Sequence, residues 1–192
     1  MATLNRLGLS RRTLVILTSD NGGQPGSTSN APLRDGKGTL YEGGIRVPLI
    51  LCWPGRLKAG EVRREPVMLT DLHPTILSAV GLKPPLASMD GIDLWPALSA
   101  SGALPKRDLH FYYPHYITPV GPCACLRSGS WKFIEFYDPP HVELYNLAED
   151  PGETKELASQ SDIARQMKHE MNAWLSSVGA ILHTSNPNYR LK

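Results

Sequence analysis

The chain has 192 residues, of which 41% are hydrophobic and 20% charged, so it can bury a core and its composition excludes intrinsic disorder. Lysine and arginine number 20 against 18 for aspartate and glutamate. This even balance argues against a nucleic-acid partner and against a basic patch for a membrane surface. Glycine and proline, 17 of each, predict many turns and shaped loops.

The first part of the chain, residues 1–105, has the pattern of an α/β fold. Residues 13–19 and 47–53 are apolar runs without charge, and they predict two strands buried on both faces. Residues 20–44, between them, are rich in Gly, Ser, Asn and Pro, so we expect a long functional loop. Residues 70–80 have an apolar stripe at helical spacing and predict an amphipathic helix.

The second part, residues 106–192, changes to short alternating or aromatic runs separated by turns. These runs predict a small antiparallel sheet with strands at residues 109–113, 124–127, 131–137 and 142–146. Residues 162–178 carry apolar side chains at helical spacing and predict an amphipathic helix that packs on another element. We therefore expect two domains, an α/β part over 1–105 and a small α+β subdomain over 106–192.

The cysteines and the apolar runs are the features of the sequence that can indicate a cellular location. Three cysteines, Cys52, Cys123 and Cys125, do not make a disulfide framework, and we interpret the last two as small apolar residues on a strand. No apolar run approaches the roughly 20 residues of a membrane span. The N-terminus as given has no apolar core of a signal peptide. The residues themselves therefore leave the localisation unknown.

A candidate metal site lies where the first predicted strand ends. Asp20 and Asn21 place a carboxylate and an amide carbonyl there, and the C-terminal ends of strands are where open α/β sheets bind ligands. Both are hard oxygen donors, which suit Ca²⁺ or Mg²⁺. Gly22 and Gly23 let the backbone turn at once. The same four residues are also common turn residues, and on their own they favour a turn.

Lys37 is a candidate anion-binding residue within the long loop. It stands between two glycines, so the backbone can approach a ligand closely and the ammonium can act as a compact positive charge. Taken alone, the pattern favours a solvated loop lysine. Glu42 and Arg46 bracket a Gly-Gly pair, and we expect them to pair and to hold the shape of the loop.

The combination of these segments carries a family resemblance. The order is Asp-Asn-Gly-Gly at 20–23, Gly-Lys-Gly-Thr-Leu-Tyr-Glu-Gly-Gly-Ile-Arg-Val-Pro at 36–48 and Trp-Pro-Gly at 53–55. The pattern continues with Asp-x-x-Pro-Thr at 71–75, Asp-Gly-x-Asp-Leu at 90–94, Tyr-Pro-His-Tyr at 113–116, Arg-x-Gly-x-Trp-Lys at 127–132, and Leu-Tyr-Asn-Leu followed by Asp-Pro-Gly-Glu at 144–153. It resembles the C-terminal half of the type I sulfatases, which belong to the alkaline-phosphatase-like superfamily. The resemblance implies the C-terminal part of a mixed sheet with helices, followed by the small antiparallel-sheet-and-helix subdomain.

The resemblance also assigns site residues. Asp20 and Asn21 match two ligands of a single divalent cation, usually Ca²⁺, with Mg²⁺ an alternative. Lys37 matches the lysine that contacts the sulfate and the nucleophile. His115 matches a substrate-pocket position, although a histidine that bridges strand and loop fits equally well. Other histidines, such as His110, are expected to pack or to lie on the surface.

Sulfatase chemistry requires a formylglycine made from a Cys or Ser in a Cys/Ser-x-Pro-x-Arg motif. Residues 52–56, Cys-Trp-Pro-Gly-Arg, match that pattern, but we reject Cys52 because the family places the modified residue far upstream of the Asp-Asn strand. Without it the chain has no nucleophile. The formylglycine is then expected only in a missing N-terminal part, and this chain alone is expected to be inactive.

Two alternatives to a sulfatase fragment stay open at the level of sequence. One is a phosphodiesterase or phosphatase of the same superfamily, although these enzymes use more His and Asp ligands than the chain offers. The other is a truncated chain that acts as a binding or structural module. The resemblance implies an aryl or carbohydrate sulfate ester as substrate, a periplasmic or secreted location, and the missing N-terminal half as a partner.

Overall fold

The structure is a computed structural model that describes residues 1–100, 102–117, 120–184, 186 and 188. The helices described are α1 (Ala2–Arg6), α2 (Glu42–Ile45), α3 (Leu72–Ala79), α4 (Trp95–Ala100) and α5 (Asp162–Ser177). The strands described are β1 (Val15–Thr18), β2 (Leu49–Cys52), β3 (Leu109–Tyr113), β4 (Cys123–Ser128), β5 (Trp131–Tyr137) and β6 (Pro140–Asn146). Single 3-10 turns lie at Ser10–Arg12, Leu69–Asp71, Leu86–Ser88 and Ala158–Gln160.

The chain forms two compact units. The first unit contains Met1–Asp20 and Pro48–Lys106, and the second contains Asn21–Val47 and Arg107–Lys192. The loop between β1 and β2 therefore belongs to the same unit as the C-terminal sheet. The division of the chain into domains over 1–105 and 106–192 stays a prediction.

In the first unit, β1 and β2 form a two-stranded antiparallel sheet, so the two strands expected from the apolar runs are confirmed. The expectation that both strands are buried on both faces is wrong. Leu17 and Ile50 lie opposite each other in the register and are 55% and 58% exposed. In the described part of the chain no further strand pairs with either of them, so one apolar face of the sheet stays open to solvent.

The helix expected at residues 70–80 is present as a 3-10 turn that leads into α3. The 3-10 turn contacts the segment that precedes α4. The buried Asp71 carboxylate accepts a hydrogen bond from the backbone N–H of Ile92 at 2.9 Å. A Cβ atom at Gly91 would collide with the carbonyl oxygen of Thr70, which requires glycine at this position. The Asp-x-x-Pro-Thr and Asp-Gly-x-Asp-Leu motifs thus stabilise this unit.

In the second unit, the strands form an antiparallel sheet in the order β3-β4-β5-β6, which confirms the four predicted strands. Side chains alternate between its two faces, as a pleated sheet requires. One face packs against the loop residues Leu40, Tyr41 and Ile45. Cys123 and Cys125 lie on this face as free, fully buried thiols, so their interpretation as apolar strand residues is confirmed.

The other face of this sheet is covered by α5, and the helix expected at residues 162–178 is confirmed. The buried side chains of α5 contact the β4, β5 and β6 residues that point to this face, and the helix residues are Ala164, Met167, Met171 and Leu175. His110 on β3 stacks on Trp174 of α5 with ring centroids 4.7 Å apart, so its predicted packing role is confirmed. The sheet thus lies between α5 and the loop that carries Lys37.

Candidate functional site

The Asp-Asn-Gly segment follows β1 in a tight turn. Asp20 is exposed at the end of the first unit, and Asn21 is half-buried at the start of the second. The backbone N–H of Gly22 donates to the carbonyl oxygen of Gly44 at 2.8 Å. A Cβ atom at Gly22 would collide with the carbonyl oxygen of Gly43, so only glycine permits this approach. Residues 21–22 are therefore fixed against the beginning of α2.

The turn that carries Lys37 lies beside the same segment. The backbone N–H of Lys37 donates to the carbonyl oxygen of Gly23 at 3.1 Å. The Asn30 side chain accepts from the N–H of Gly23 at 2.9 Å and donates to the carbonyl oxygen of Asp35 at 2.9 Å. These bonds bring residues 21–23 and 35–37 together. The Lys37 side chain is exposed, and within the described ranges no ion pair or hydrogen bond occupies its ammonium group.

His115 follows β3 and is exposed. Its ring packs edge-to-face against Tyr113 with centroids 5.3 Å apart. In the part of the chain that the structure describes, no hydrogen bond or ring contact joins His115 to the Lys37 turn. Its assignment to the substrate pocket therefore stays a prediction, as do the assignments of Asp20, Asn21 and Lys37.

A buried charge cluster lies between the loop and the sheet. The Lys132 ammonium on β5 is 3.1 Å from Glu42 Oε1 and 2.8 Å from Glu153 Oε1, and all three side chains are at most 1% exposed. Burial raises the pKa of Glu153, although Lys132 acts in the opposite direction. Arg46 adds a second cation 3.5 Å from Glu42 Oε2, so the expected pairing of Glu42 with Arg46 is confirmed.

A second polar group joins the loop to β6. The guanidinium of Arg34 lies 3.8 Å from the centroid of the Tyr41 ring and donates to the Tyr145 hydroxyl at 2.8 Å. The hydroxyls of Tyr41 and Tyr145 both donate to Glu143 Oε2, at 2.9 and 2.8 Å. Burial, reinforced by the Glu143 carboxylate, raises the pKa of both tyrosines. Both phenols therefore remain neutral at physiological pH and act as hydrogen-bond donors.

Sequence reasoning did not identify Lys132, Glu153 or Arg34 as parts of this network. The first two lie inside segments that carry the family resemblance, at Trp131-Lys132 and in Asp-Pro-Gly-Glu. Their partner Glu42 is 90 and 111 residues away along the chain, so no local pattern connects them. The resemblance marked the positions, but only the fold shows that these charges meet.

The donors available for a metal ion are few. Among the residues described, no group of three or more His, Cys, Asp or Glu side chains could enclose a cation. The Asp20 carboxylate and the Asn21 amide oxygen are hard donors of the kind that Ca²⁺ and Mg²⁺ prefer, and their assignment as metal ligands stays a prediction. None of the helices described combines the length and the apolar character of a membrane span.

Comparison with known proteins decides the family. The family model of the C-terminal region of N-sulphoglucosamine sulphohydrolase matches residues 35–178, which include the Lys37 turn, the charge cluster and the sheet. The chain belongs to the sulfatase family. It is 35% identical to a sulfatase of Formosa agariphila over 186 residues, a match that covers 88% of the chain and 34% of that protein.

Relatives whose names specify a type of sulfatase also match most of this chain. The chain is 35% identical to human arylsulfatase A and 41% identical to mouse N-acetylgalactosamine-6-sulfatase, with 82% and 84% of the chain covered. These matches cover 36% and 37% of the two enzymes. The chain thus spans about a third of the length of the curated relatives that it matches.

Solved structures confirm that the fold is that of the C-terminal portion of a sulfatase. The structure of Ps i-CgsB in complex with k-i-k-neocarrahexaose aligns with a TM-score of 0.78 and 27% identity, over 96% of this chain and 41% of that one. The PsFucS1 sulfatase from Pseudoalteromonas sp. aligns with a TM-score of 0.73 and 27% identity, over 96% of this chain and 41% of that one.

Proposed function

We propose that this chain is the C-terminal portion of a sulfuric ester hydrolase and that it carries part of the sulfate and metal site. The position of Lys37 carries the proposal, because its backbone N–H donates to the carbonyl oxygen of Gly23, two residues after Asn21. The resemblance to the type I sulfatases matches Lys37 with the lysine that contacts the sulfate. His115 is proposed as a residue that contacts the substrate.

Lys37 has the properties that a sulfate-binding residue needs. Its backbone is fixed by the bond to Gly23, while its ammonium is exposed and without a partner among the residues described. A lysine held in this way can stabilise negative charge on the sulfate oxygens without first breaking an internal ion pair. A bound Ca²⁺, or Mg²⁺, would supply further positive charge to the same oxygens, and Asp20 and Asn21 are the residues that would hold it.

The chain does not supply the nucleophile in this proposal. Cys52 is the last residue of β2 and precedes the turn at 53–56, where the resemblance assigns an ordinary strand end. We therefore propose that it is an unmodified cysteine and that the formylglycine belongs to the part of the enzyme outside this chain. The 192-residue chain is then inactive alone, and the missing N-terminal half is its partner in catalysis.

The relatives suggest the substrate class. Their names include arylsulfatase, steryl-sulfatase and N-acetylgalactosamine-6-sulfatase, and one related structure is described as a complex with its substrate D-glucosamine-2-N,6-O-disulfate. We propose an aryl or carbohydrate sulfate ester as the substrate of the whole enzyme. The loop at residues 24–35 is the segment of this chain through which we expect substrates to be distinguished.

The activity of the chain is tested with p-nitrophenyl sulfate in the presence of CaCl2. We expect no release of p-nitrophenol above the level given by the variant Lys37→Ala. Peptide mass spectrometry of the same sample should find Cys52 as an intact thiol. Turnover that depends on Lys37, or an aldehyde mass at Cys52, would show that the chain carries its own nucleophile and would contradict the proposal.

The metal ligands are tested separately by an NMR titration of the chain with CaCl2. We expect the largest amide shifts at residues 20–22, at millimolar metal because two ligands bind weakly. Asp20→Asn should abolish these shifts, while Asp90→Asn, at another exposed aspartate, should leave them unchanged. Shifts that persist in the Asp20 variant would exclude Asp20 as a ligand.

A further inference from the structure

Both sides of the Lys37 turn are attached to one residue of the C-terminal part, Glu153. Arg34, which precedes the turn, donates from Nη1 to the carbonyl oxygen of Glu153 at 2.9 Å. Glu42, which follows the turn, donates its backbone N–H to Glu153 Oε2 at 2.6 Å. A single residue therefore holds the two ends of the segment that presents Lys37.

Glu153 adopts an unusual conformation to make these contacts. Its φ of +53° lies in the left-handed region that residues other than glycine rarely occupy. Its side chain is fully buried. Such outliers persist only where the surrounding structure imposes them, and they concentrate at positions that serve function. The contacts with Arg34 and Glu42 are the surroundings that account for it here.

Lys132 allows the two carboxylates to share one buried site. Glu42 and Glu153 would repel each other strongly at this depth because little solvent screens their charges. The Lys132 ammonium contacts one oxygen of each carboxylate, at 3.1 and 2.8 Å, and is itself fully buried. Lys132 therefore fixes Glu42, and with it the beginning of α2, to strand β5.

Backbone hydrogen bonds continue this connection from Glu42 to Lys37. The N–H of Gly43 donates to the carbonyl oxygen of Arg34 at 2.8 Å, which closes the loop at its base. The carbonyl oxygen of the next residue, Gly44, accepts from Gly22 at 2.8 Å. The adjacent Gly23 accepts the backbone N–H of Lys37. Every step from Glu153 to Lys37 is a hydrogen bond or a short run of chain.

We propose that Glu153 and Lys132 are positioning residues for Lys37: they attach both sides of its turn to the C-terminal sheet and so set the place of its ammonium group. The proposal rests on the function proposed above, in which Lys37 binds the sulfate group. It also gives the C-terminal subdomain a part in the sulfate site, although neither residue touches the substrate.

Amide hydrogen exchange of the 192-residue chain, followed by NMR, tests the proposal. Glu153→Gly removes the carboxylate at a φ that glycine adopts readily, so backbone strain does not confuse the result. We expect protection of the N–H groups of Lys37 and Gly43 to fall by about tenfold relative to the amides of the β4–β5 ladder. Glu149→Gly, the same substitution at an exposed position of the same segment, should leave this ratio unchanged.

A second variant covers the case in which Glu153→Gly fails to fold. Arg34→Gln removes the guanidinium contacts with the Glu153 carbonyl oxygen, the Tyr145 hydroxyl and the Tyr41 ring, but it leaves the buried carboxylates and Lys132 in place. We expect it to lower the protection of the Lys37 N–H at least several-fold relative to the same ladder, because more than one contact of the loop is lost.

Two outcomes would overturn the proposal. An equal fall in protection at the Lys37 turn and at the ladder would show that Glu153 stabilises the whole unit without positioning the turn. Unchanged protection at the turn would show that the attachment is not needed. Hydrogen exchange is measured without sulfate and without turnover, so it tests the attachment of the turn by itself. A failure of Lys37 to bind sulfate would refute only the function proposed for Lys37.

Discussion

Lys132 shows how one side chain can control both stability and site geometry. It is fully buried between two carboxylates. Its removal would leave Glu42 with the half-exposed Arg46 and would leave the Glu153 carboxylate without an ion pair among the residues described. Loss of one member of a buried ion pair is far more harmful than loss of an exposed pair, because the remaining charge keeps its desolvation cost. Substitution of Lys132 therefore tests whether the charge cluster is buried.

We predict that Lys132→Met lowers the free energy of unfolding by about 3–5 kcal/mol. Arg165→Met, which breaks the exposed ion pair with Asp162 on α5, should cost less than about 1 kcal/mol. Urea denaturation followed by tryptophan fluorescence measures both values. Similar costs for the two variants would mean that the cluster is open to water in solution.

His110 connects stability with pH. Burial against α5 lowers the pKa of its imidazole below the ordinary 6.5, although Asp108 and Glu170 act to raise it. Because the folded state disfavours the charged ring, its contribution to stability is present above pH 6.5 and is lost as the pH falls through the lowered pKa. The stack on Trp174 places this titration at the interface between β3 and α5.

We predict that His110→Phe, which keeps an aromatic ring for Trp174, makes the chain relatively more stable than the wild type as the pH falls from 7.5 to 5. The free energy of unfolding, measured at several pH values, gives the difference between the two proteins. His169→Gln, at an exposed position of α5, serves as the control. A difference in the free energy of unfolding that does not vary with pH would contradict a lowered pKa of His110 in the folded chain.

At the scale of elements, α5 packs on one face of the C-terminal sheet. Met171 lies at the centre of this contact and is fully buried among residues of β4 to β6. A methionine truncated to alanine in such a core loses buried apolar surface and leaves a cavity. The adjacent Asn172 is exposed, so it reports only on helix propensity.

We predict that Met171→Ala lowers the free energy of unfolding by about 2–5 kcal/mol, and that Asn172→Ala changes it by less than about 0.5 kcal/mol. Thermal or urea unfolding of the two variants provides the comparison. A small effect at Met171 would show that α5 packs loosely on the sheet and would weaken the description of this unit as one core.

The elements also show what the sequence can and cannot predict. The four strands between residues 109 and 146 could be predicted because alternation and turn residues are local signals. The exposure of Leu17 could not, since an apolar run indicates a strand but not whether another element covers it. The Lys132 cluster could not either, because its partners are distant in sequence and meet only through the loop after β1.

At the scale of the molecule, the first unit leaves apolar surface uncovered. Leu17 and Ile50 face each other across the β1–β2 pair, and both are more than half exposed. Neither strand has another strand of the described chain on its outer side. Exposed apolar residues on an unprotected edge are sites of association, because burial of that surface is favourable.

We predict that the chain binds the apolar dye ANS at this sheet, and that Leu17→Lys with Ile50→Lys reduces the dye fluorescence while changing the free energy of unfolding by less than about 1 kcal/mol. The matched control is Val62→Lys with Leu82→Lys, at exposed apolar positions of the same unit outside the strands. Sedimentation velocity should show less self-association for the strand variant than for the control. If both pairs lower the fluorescence equally, the dye is reporting exposed apolar residues in general, and the β1–β2 sheet is not a distinct site of association.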